Sequence, residues 1–286
     1  KLRIGFQKSS TLLILLRRNG TLEKKLNDLG FEVSWHELSS GLLTTLNTGG
    51  VDIHADVADA FALFTQAAGA PLTYYAKENA APSAQAIVVP ENSTIKTVAD
   101  LKGRKVAVMK GTGSNFLLIN ALKKVGLTTK DIDIRYLDAP DAQSAFAGGS
   151  VDAWVIWDPF LAAAEKALDA TVLADATGVV GNRAYYFSSL GYVDKNADVL
   201  KVVIEELDKV DQWGAANRSA LAAELSQLFG IPRPVLELSV SRQKFGTTPI
   251  TKAILGEQQK IADTFFDLKL IPKRINVLEA AAAGLA

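Results

Sequence analysis

The amino-acid sequence predicts an α/β protein with two lobes, each built on a doubly wound sheet that is flanked by helices. One observation is the alternation of strands and helices over residues 2–56, which is typical of a parallel sheet. A second observation is that the same alternation returns later in the chain, beginning near residue 96. A chain of 286 residues is long enough for one large domain or for two lobes.

The first unit is read from its hydrophobic periodicity. Leu22, Leu26 and Leu29 stand at helical spacing before Gly30, which predicts a helix and its end. Apolar and polar residues alternate over FEVSWHE, which predicts a strand with one buried face. Strands are predicted over residues 2–6, 31–37 and 51–56, with helices between them in QKSSTLLILLRR, LEKKLNDLG and GLLTTLNTGG.

The middle of the chain repeats this pattern. RKVAVMKGTGSNFLLINALKKVGL predicts a strand, a glycine turn and an amphipathic helix, and DIRYLD predicts the next strand. LNTGGVDIHAD and FAGGSVDAWVIWDP share the pattern Gly-Gly-x-Val-Asp if one residue is inserted. We interpret these segments as two copies of one βαβαβ unit. A chance similarity between two such units is the alternative, because the shared pattern is short.

The C-terminal part of the chain is almost wholly helical from Lys195 onward, so it cannot form a third sheet. We expect this tail to cover one of the two lobes, most simply the first. The strands predicted at residues 85–90 and 184–190 would carry the chain between the lobes. The expected division is therefore 1–88 with 185–286 for lobe 1, and 89–184 for lobe 2.

Composition excludes several classes of function. Thirty-one basic residues balance thirty-one acidic ones, so the chain has no general attraction for nucleic acid or for an anionic membrane. The sequence has no cysteine, and its two histidines, His36 and His54, are too few for a His-rich metal site. We therefore expect no metal, no cofactor and no thiol chemistry. The chain opens directly on a strand, so an export signal was either removed or never present.

A glycine turn at residues 110–115, KGTGSN, lies between a predicted strand and a predicted helix. Such a turn directs free backbone N–H groups toward an anion. The turn is not a P-loop, because Lys110 precedes the glycines instead of following them. Ligands of α/β sheets bind beyond the carboxyl ends of the strands, so Ser10 and Thr11 of lobe 1 would face the turn of lobe 2. The alternative is that these hydroxyl residues only cap their helices.

Further candidates stand at the other predicted strand ends. Trp157 is favoured as an aromatic wall of the pocket and Trp154 as a core residue, because alternation places them on different faces. Asp158 is expected to cap the helix that begins at Pro159 and to shape the site indirectly. Arg183 would bind an anion or lie at the surface.

The sequence does not decide the roles of two further pairs of residues, a tyrosine pair and an aspartate pair. Either Tyr185 or Tyr186 would face the cleft, and the sequence does not decide which. Asp56 and Asp59 are interpreted as capping residues of a helix start. The alternative is a carboxylate pair for acid–base chemistry.

The chain resembles the aliphatic-sulfonate substrate-binding proteins of ABC importers in four segments taken together. These segments are GFQKSS, ENSTIKTVADLKGRKVAVMKGTGSN, VDAWVIWDP and DLKLIPK. This family is related to the taurine- and nitrate-binding proteins, and the resemblance covers nearly the whole chain. The sequence departs from the family at HADVADAFA, residues 54–62, where a smaller turn rich in glycine and threonine is expected.

The resemblance implies a two-lobed periplasmic-binding-protein (venus flytrap) fold with two hinge strands. It also implies a periplasmic monomer without catalytic activity. The protein would bind an alkanesulfonate in the interlobe cleft and deliver it to a membrane-embedded ABC permease for sulfur acquisition.

Strand-end positions and resemblance together define the expected ligand-binding set. Its members are Gln7, Ser10, Thr11, Asp56, Val57, Thr112, Gly113, Ser114, Asn115, Trp157, Asp158, Arg183 and Tyr185. Other ligands remain open, namely taurine, nitrate or a sulfate ester. The enzymes that share this fold depend on cysteines, which the chain lacks, and a regulatory sensor would need a DNA-binding module, for which the sequence shows no sign.

Overall fold

The computed structural model describes residues 1–6, 10–38, 45–46, 48–58 and 60–282, without the side chains of residues 55–58. Most of the helix expected in GLLTTLNTGG lies outside the described residues, as do Gln7 and Asp59. The chain divides into two compact units. Unit 1 comprises Lys1–Asn79, Arg183–Asn217 and Lys244–Ala286, and unit 2 comprises Ala80–Asn182 and Arg218–Gln243.

Unit 1 contains a six-stranded sheet, with its elements numbered here in chain order. Its strands are β1 (Leu2–Phe6), β2 (Val33–Glu37), β3 (Ile53–Ala58), β4 (Leu72–Glu78), β10 (Ala184–Ser189) and β11 (Thr247–Pro249). Its helices are α1 (Thr11–Asn19), α2 (Thr21–Asp28), α3 (Phe61–Ala67), α7 (Leu190–Val193), α8 (Ala197–Ala216) and α11 (Lys252–Asp267).

Unit 2 contains a five-stranded sheet. Its strands are β5 (Gln85–Pro90), β6 (Lys105–Val108), β7 (Asp133–Tyr136), β8 (Ala153–Trp157) and β9 (Ala170–Asp175). Its helices are α4 (Gly113–Lys124), α5 (Ala139–Ala147), α6 (Phe160–Ala167), α9 (Arg218–Phe229) and α10 (Arg233–Arg242).

Both sheets follow one topology, which confirms the α/β class and the internal repeat. The strand orders are β11-β4-β10-β3-β1-β2 and β7-β6-β8-β5-β9. Within each sheet three neighbouring strands are parallel, β2-β1-β3 in unit 1 and β7-β6-β8 in unit 2. The strand beside each parallel trio, β10 or β5, is antiparallel to its neighbours, so the sheets are mixed rather than wholly parallel.

The repeat needs no inserted residue. Gly49 and Gly149 both have a left-handed backbone, with φ of 74° and 68°, which glycine adopts without strain. The next residue in each copy, Gly50 or Ser150, donates its N–H over 2.8 Å to a carbonyl five residues earlier. Gly49 therefore corresponds to Gly149 and Gly50 to Ser150, which corrects the alignment inferred from the sequence.

The aspartate of the repeated motif ties the first and third strands together in both units. The Asp52 carboxylate accepts the backbone N–H of Arg3 over 2.8 Å, and the Asp152 carboxylate accepts that of Lys105 over the same distance. In return, the N–H of each aspartate donates to the carbonyl of the same strand residue, again over 2.8 Å. This reciprocal pair of bonds is the physical reason that Val-Asp recurs at the start of both third strands.

The helical tail does not follow the expected division. Residues 218–243, which form α9 and α10, belong to unit 2, where α10 packs against α6. The expectation that the tail returns to the first lobe therefore holds for 195–217 and 244–286 and is wrong for this segment. Hydrophobic periodicity could not assign residues 218–243 to one unit, because the apolar face of an amphipathic helix can pack against either sheet.

The two strands expected to link the lobes each belong to one sheet. β5 bonds to β8 and β9 in unit 2, and β10 bonds to β3 and β4 in unit 1. The chain accordingly changes unit at 79/80 and 182/183, before each strand, rather than at 88/89 and 184/185.

The two faces of the sheet in unit 2 carry different helices. Trp154 and Ile156 of β8 pack with Ala86 and Val88 of β5 in a core cluster that includes residues of α5 and α6. Helix α4 connects β6 to β7, and α5 connects β7 to β8, so the two connections run in opposite directions across the sheet. Because both crossovers are right-handed, the two helices lie on opposite faces. Helix α4 therefore covers the face away from α5, where it contacts β5 and β8. Trp154 is fully buried and is a core residue, as expected.

Two classes of feature are missing from the described part of the chain. None of its helices combines the length and the apolar character that a membrane span requires. Nor does this part bring together three or more His, Cys, Asp or Glu side chains that could hold a metal ion.

Candidate functional site

The turn that follows β6 is held in shape by its own side chains. Thr112 is the N-cap of α4, and its hydroxyl accepts the N–H of Asn115 over 3.3 Å and donates to the carbonyl of Met109 over 2.8 Å. The Asn115 Oδ1 accepts the N–H of Gly111 over 3.2 Å. Thr112 therefore acts as a cap, and the first turn of α4 is presented in one fixed conformation.

Ser114 and Asn115 leave polar atoms unsatisfied at the start of α4. Both residues are 0% exposed, and neither the Ser114 Oγ nor the Asn115 Nδ2 has a hydrogen-bond partner among the described residues. A buried polar atom without a partner costs about 1–3 kcal/mol, so native proteins leave few of them unmatched. These two atoms, beside the positive end of a helix dipole, are suited to the oxygen atoms of a small anion.

Unit 1 has a matching helix start. Ser10 is buried at the N-cap of α1, and Thr11 is the first residue of that helix. Ile4 of β1 pairs with Ile53, as Val106 of β6 pairs with Ala153. Ser10 and Thr112 follow Ile4 and Val106 by the same number of residues, so the two N-caps are equivalent in the repeat.

The end of β8 lies at the same edge of its sheet as the start of α4. Trp157 is the last residue of β8 and is half-buried against the cluster that contains Trp154. Core packing therefore accounts for part of its surface, and its role as a wall of the pocket stays a prediction.

Asp158 is engaged within unit 2. Its Oδ1 accepts the N–H of Ala162 in α6 over 2.9 Å and lies 3.1 Å from Nη1 of Arg242, whose Nη2 bonds to Glu165. Burial raises the pKa of Asp158 to about 6, although Arg242 opposes this shift. Asp158 therefore accepts a hydrogen bond from the first turn of α6, as a capping residue does, but the helix begins at Phe160 and its N-cap is Pro159 rather than Asp158. Direct contact of Asp158 with a ligand stays a prediction. Sequence reasoning missed Arg242, because no local pattern connects it to Asp158.

Arg183 lies in an ion pair of unit 1. Its Nη2 lies 3.2 and 3.3 Å from the two carboxylate oxygens of Glu257, and its side chain is only 12% exposed. Burial and the positive charge of Arg183 lower the pKa of nearby Lys77. Arg183 is therefore not a solvated surface residue, and its contact with an anion stays a prediction.

The two tyrosines of β10 are both buried. The ring of Tyr185 packs edge-on against Tyr74 with centroids 5.4 Å apart, and the Tyr186 hydroxyl donates to Glu78 over 2.7 Å. Alternation along β10 puts them on opposite faces of the sheet. The structure shows no exposed ring at either position, so the ligand contact expected of Tyr185 stays a prediction.

Three candidates of the first unit stay untested. Asp56 and Val57 lie in the backbone of β3, where Val57 pairs with Tyr185, and their side chains are outside the described residues. Gln7, which follows β1, is also outside them.

Comparison with known proteins relates the whole chain to one group. A family model described as NMT1/THI5 like matches residues 29–217. A relative from Escherichia coli (strain K12), described as an aliphatic sulfonates-binding protein, is 37% identical over 279 residues, which are 96% of this chain and 86% of the relative.

Solved structures agree with that relationship. The periplasmic aliphatic sulphonate binding protein SsuA from Escherichia coli matches with a TM-score of 0.92 and 37% identity, covering 98% of this chain and 91% of that one. The alkanesulfonate-binding protein SsuA from Xanthomonas axonopodis pv. citri, solved bound to MOPS, matches with a TM-score of 0.85 and 35% identity. That match covers 98% of this chain and 97% of the other.

Proposed function

The chain belongs to the aliphatic sulfonate-binding proteins of the NMT1/THI5-like family, and on this premise we propose that it binds an alkanesulfonate for import. The observation that carries the proposal is a pair of fully buried polar atoms at the start of α4, the Ser114 Oγ and the Asn115 Nδ2, for which the described part of the chain provides no hydrogen-bond partner.

The chemistry of a sulfonate fits this site. A sulfonate head has one negative charge and three acceptor oxygens, while the Asn115 amide and the Ser114 hydroxyl are donors. The first N–H groups of α4 and its helix dipole supply further positive potential without a full ion pair. Lys110 is the first residue of the turn, with its Nζ 5.7 Å from the centroid of the Tyr136 ring, and its positive charge adds an attraction that salt screens.

The relatives also suggest location and partner. The Escherichia coli structure is named as a periplasmic protein, and both solved relatives are named for sulfonate binding. We infer that this protein works in the periplasm as a monomer and passes its ligand to a membrane-embedded ABC permease. It would release that ligand chemically unchanged, since the relatives are binding proteins rather than enzymes.

A thermal-shift series tests the proposed ligand class. A ligand at about 100 times its Kd adds about 2.7 kcal/mol to the free energy of unfolding, which corresponds to several degrees for a chain of this size. We expect clear shifts with short alkanesulfonates and with MOPS, and little shift with sulfate or nitrate at equal ionic strength. If sulfate or nitrate raises the Tm as much as an alkanesulfonate, the protein is an inorganic-anion binder. Mass spectrometry after long incubation should recover the sulfonate intact, and a new product would indicate an enzyme.

A further inference from the structure

Gln85 presents a third unsatisfied polar atom in unit 2. This residue begins β5 and is only 2% exposed, and its Oε1 has no hydrogen-bond partner in the part of the chain that the structure describes. Its backbone is fully engaged, since it pairs with Trp157 of β8 and its carbonyl accepts the N–H of Ala176 over 3.0 Å. The Oε1 is therefore a buried side-chain atom to which the described residues offer no partner.

The position of Gln85 relates it to the start of α4. Because β5 runs antiparallel to β8, it begins at the edge where β8 ends and where α4 starts after β6. Alternation places Gln85 on the same face as Ile87, opposite to Ala86 and Val88, which pack toward α5 and α6. The face of Gln85 and Ile87 is the one that α4 covers.

The chemical character of the unpartnered atoms differs. The Asn115 Nδ2 is a donor and the Ser114 Oγ can donate, so both can bind sulfonate oxygens. The Gln85 Oε1 is an acceptor, and it would repel a sulfonate oxygen. In the orientation that the structure shows, this acceptor is satisfied by an N–H or O–H group, which the part of the ligand that follows the sulfonate can supply.

We propose that Gln85 is a specificity-determining residue that accepts a hydrogen bond from a hydroxyl or amino group on the ligand, which favours short hydroxy- or aminoalkanesulfonates over plain ones. This inference rests on the proposed function and narrows it. It adds to the site a residue that neither the strand-end argument nor the helix-start argument selected.

A pair of ligands with equal numbers of heavy atoms tests the proposal. 2-Hydroxyethanesulfonate and propane-1-sulfonate differ by a hydroxyl in place of a methyl group, and calorimetry gives a Kd for each. We expect Gln85→Met to reduce the preference for the hydroxyl compound, measured as the ratio of the two Kd values, by about tenfold. This change corresponds to the loss of one good hydrogen bond. Its affinity for propane-1-sulfonate should stay within about twofold of the wild type, because that ligand has no donor to lose.

Controls separate this role from a structural one. Gln212→Met applies the same substitution to an exposed glutamine whose amide bonds to Asp208, and it should leave the Kd ratio unchanged. Gln85→Leu provides a second variant if Gln85→Met does not fold, and the Tm of each variant is recorded.

Two outcomes overturn the inference. The first is a Kd ratio that stays the same in the Gln85 variants, which includes the case in which both ligands weaken equally. If neither Gln85 variant folds, an equal Kd of the wild type for the two ligands also contradicts it. A wild-type protein that binds no sulfonate contradicts the proposed function itself, and the inference falls with it.

Discussion

Arg242 and Asp158 form an ion pair of 3.1 Å across 84 residues of chain, and this pair anchors α10 to the end of β8. The guanidinium also bonds to Glu165 of α6, so one cation serves two carboxylates. Both Arg242 and Asp158 are largely shielded from solvent. The contact explains why a helix from the C-terminal part of the chain belongs to the unit that carries the candidate site.

Replacing Arg242 by methionine should destabilise the protein by about 3 kcal/mol. The change leaves two carboxylates close together with no cation between them, and an uncompensated buried charge is far more costly than a lost surface contact. Urea unfolding measures the effect. Arg233→Met is the matched control on the same helix, because Arg233 makes exposed contacts, an ion pair with Glu237 and a hydrogen bond to the Ser219 hydroxyl over 2.9 Å. Its replacement should cost no more than about 1 kcal/mol. Equal losses in both variants would show that the Arg242 network adds nothing.

Asp211 should make the stability of the protein depend on pH. This carboxylate of α8 is buried, which raises its pKa to about 6 despite hydrogen bonds from the Gly246 N–H and the Thr247 hydroxyl; the charge of Asp208 raises it further. Because the folded protein then holds the proton more tightly than the unfolded chain, this contribution to stability is fully present below pH ~4. It is lost as the pH rises through about 6.

The Asp211→Asn variant checks the sign of this effect. Asparagine keeps an acceptor for Gly246 but cannot ionise. Between pH ~4 and ~7 we expect the wild type to lose up to about 3 kcal/mol relative to the variant, measured by thermal unfolding at several pH values. Parallel pH profiles for the two proteins would mean that the pKa of Asp211 is not raised in the folded state.

Ser114 should contribute to ligand binding rather than to folding. Removing its hydroxyl in Ser114→Ala takes away an unsatisfied buried atom, so the Tm should hold or rise slightly, while sulfonate affinity should fall about five- to tenfold. Ser114→Asp should weaken binding more than Ser114→Ala does, because the aspartate charge repels the sulfonate and a charge-assisted hydrogen bond is lost. Relative to the wild type, we expect its binding free energy to fall by at least about 1–3 kcal/mol. Calorimetry with an alkanesulfonate measures both. Wild-type affinity in both variants would leave Ser114 as a packing residue of the helix start.

Local sequence patterns alone were sufficient to predict many of the secondary-structure elements of this protein. Strands β5 to β8 and helix α4 of unit 2, together with the burial of Trp154, follow from periodicity and turn chemistry within short segments, whereas β9 was not predicted. Capping of α4 by Thr112 was one of the two roles that the sequence left open. The repeated Val-Asp motif was also visible, although only the φ angles of Gly49 and Gly149 revealed its alignment. The four quoted segments were enough to suggest the family.

Tertiary structure decided what depends on residues distant in the chain. The sequence could not show that Arg242 reaches Asp158, that α9 and α10 belong to unit 2, or that Arg183 pairs with Glu257. It also could not show that Ser114, Asn115 and Gln85 each keep a polar atom that no described residue hydrogen-bonds, because the satisfaction of a polar atom depends on every neighbour in space. Periodicity reports which face of an element is buried, whereas only the assembled fold determines which partner covers that face.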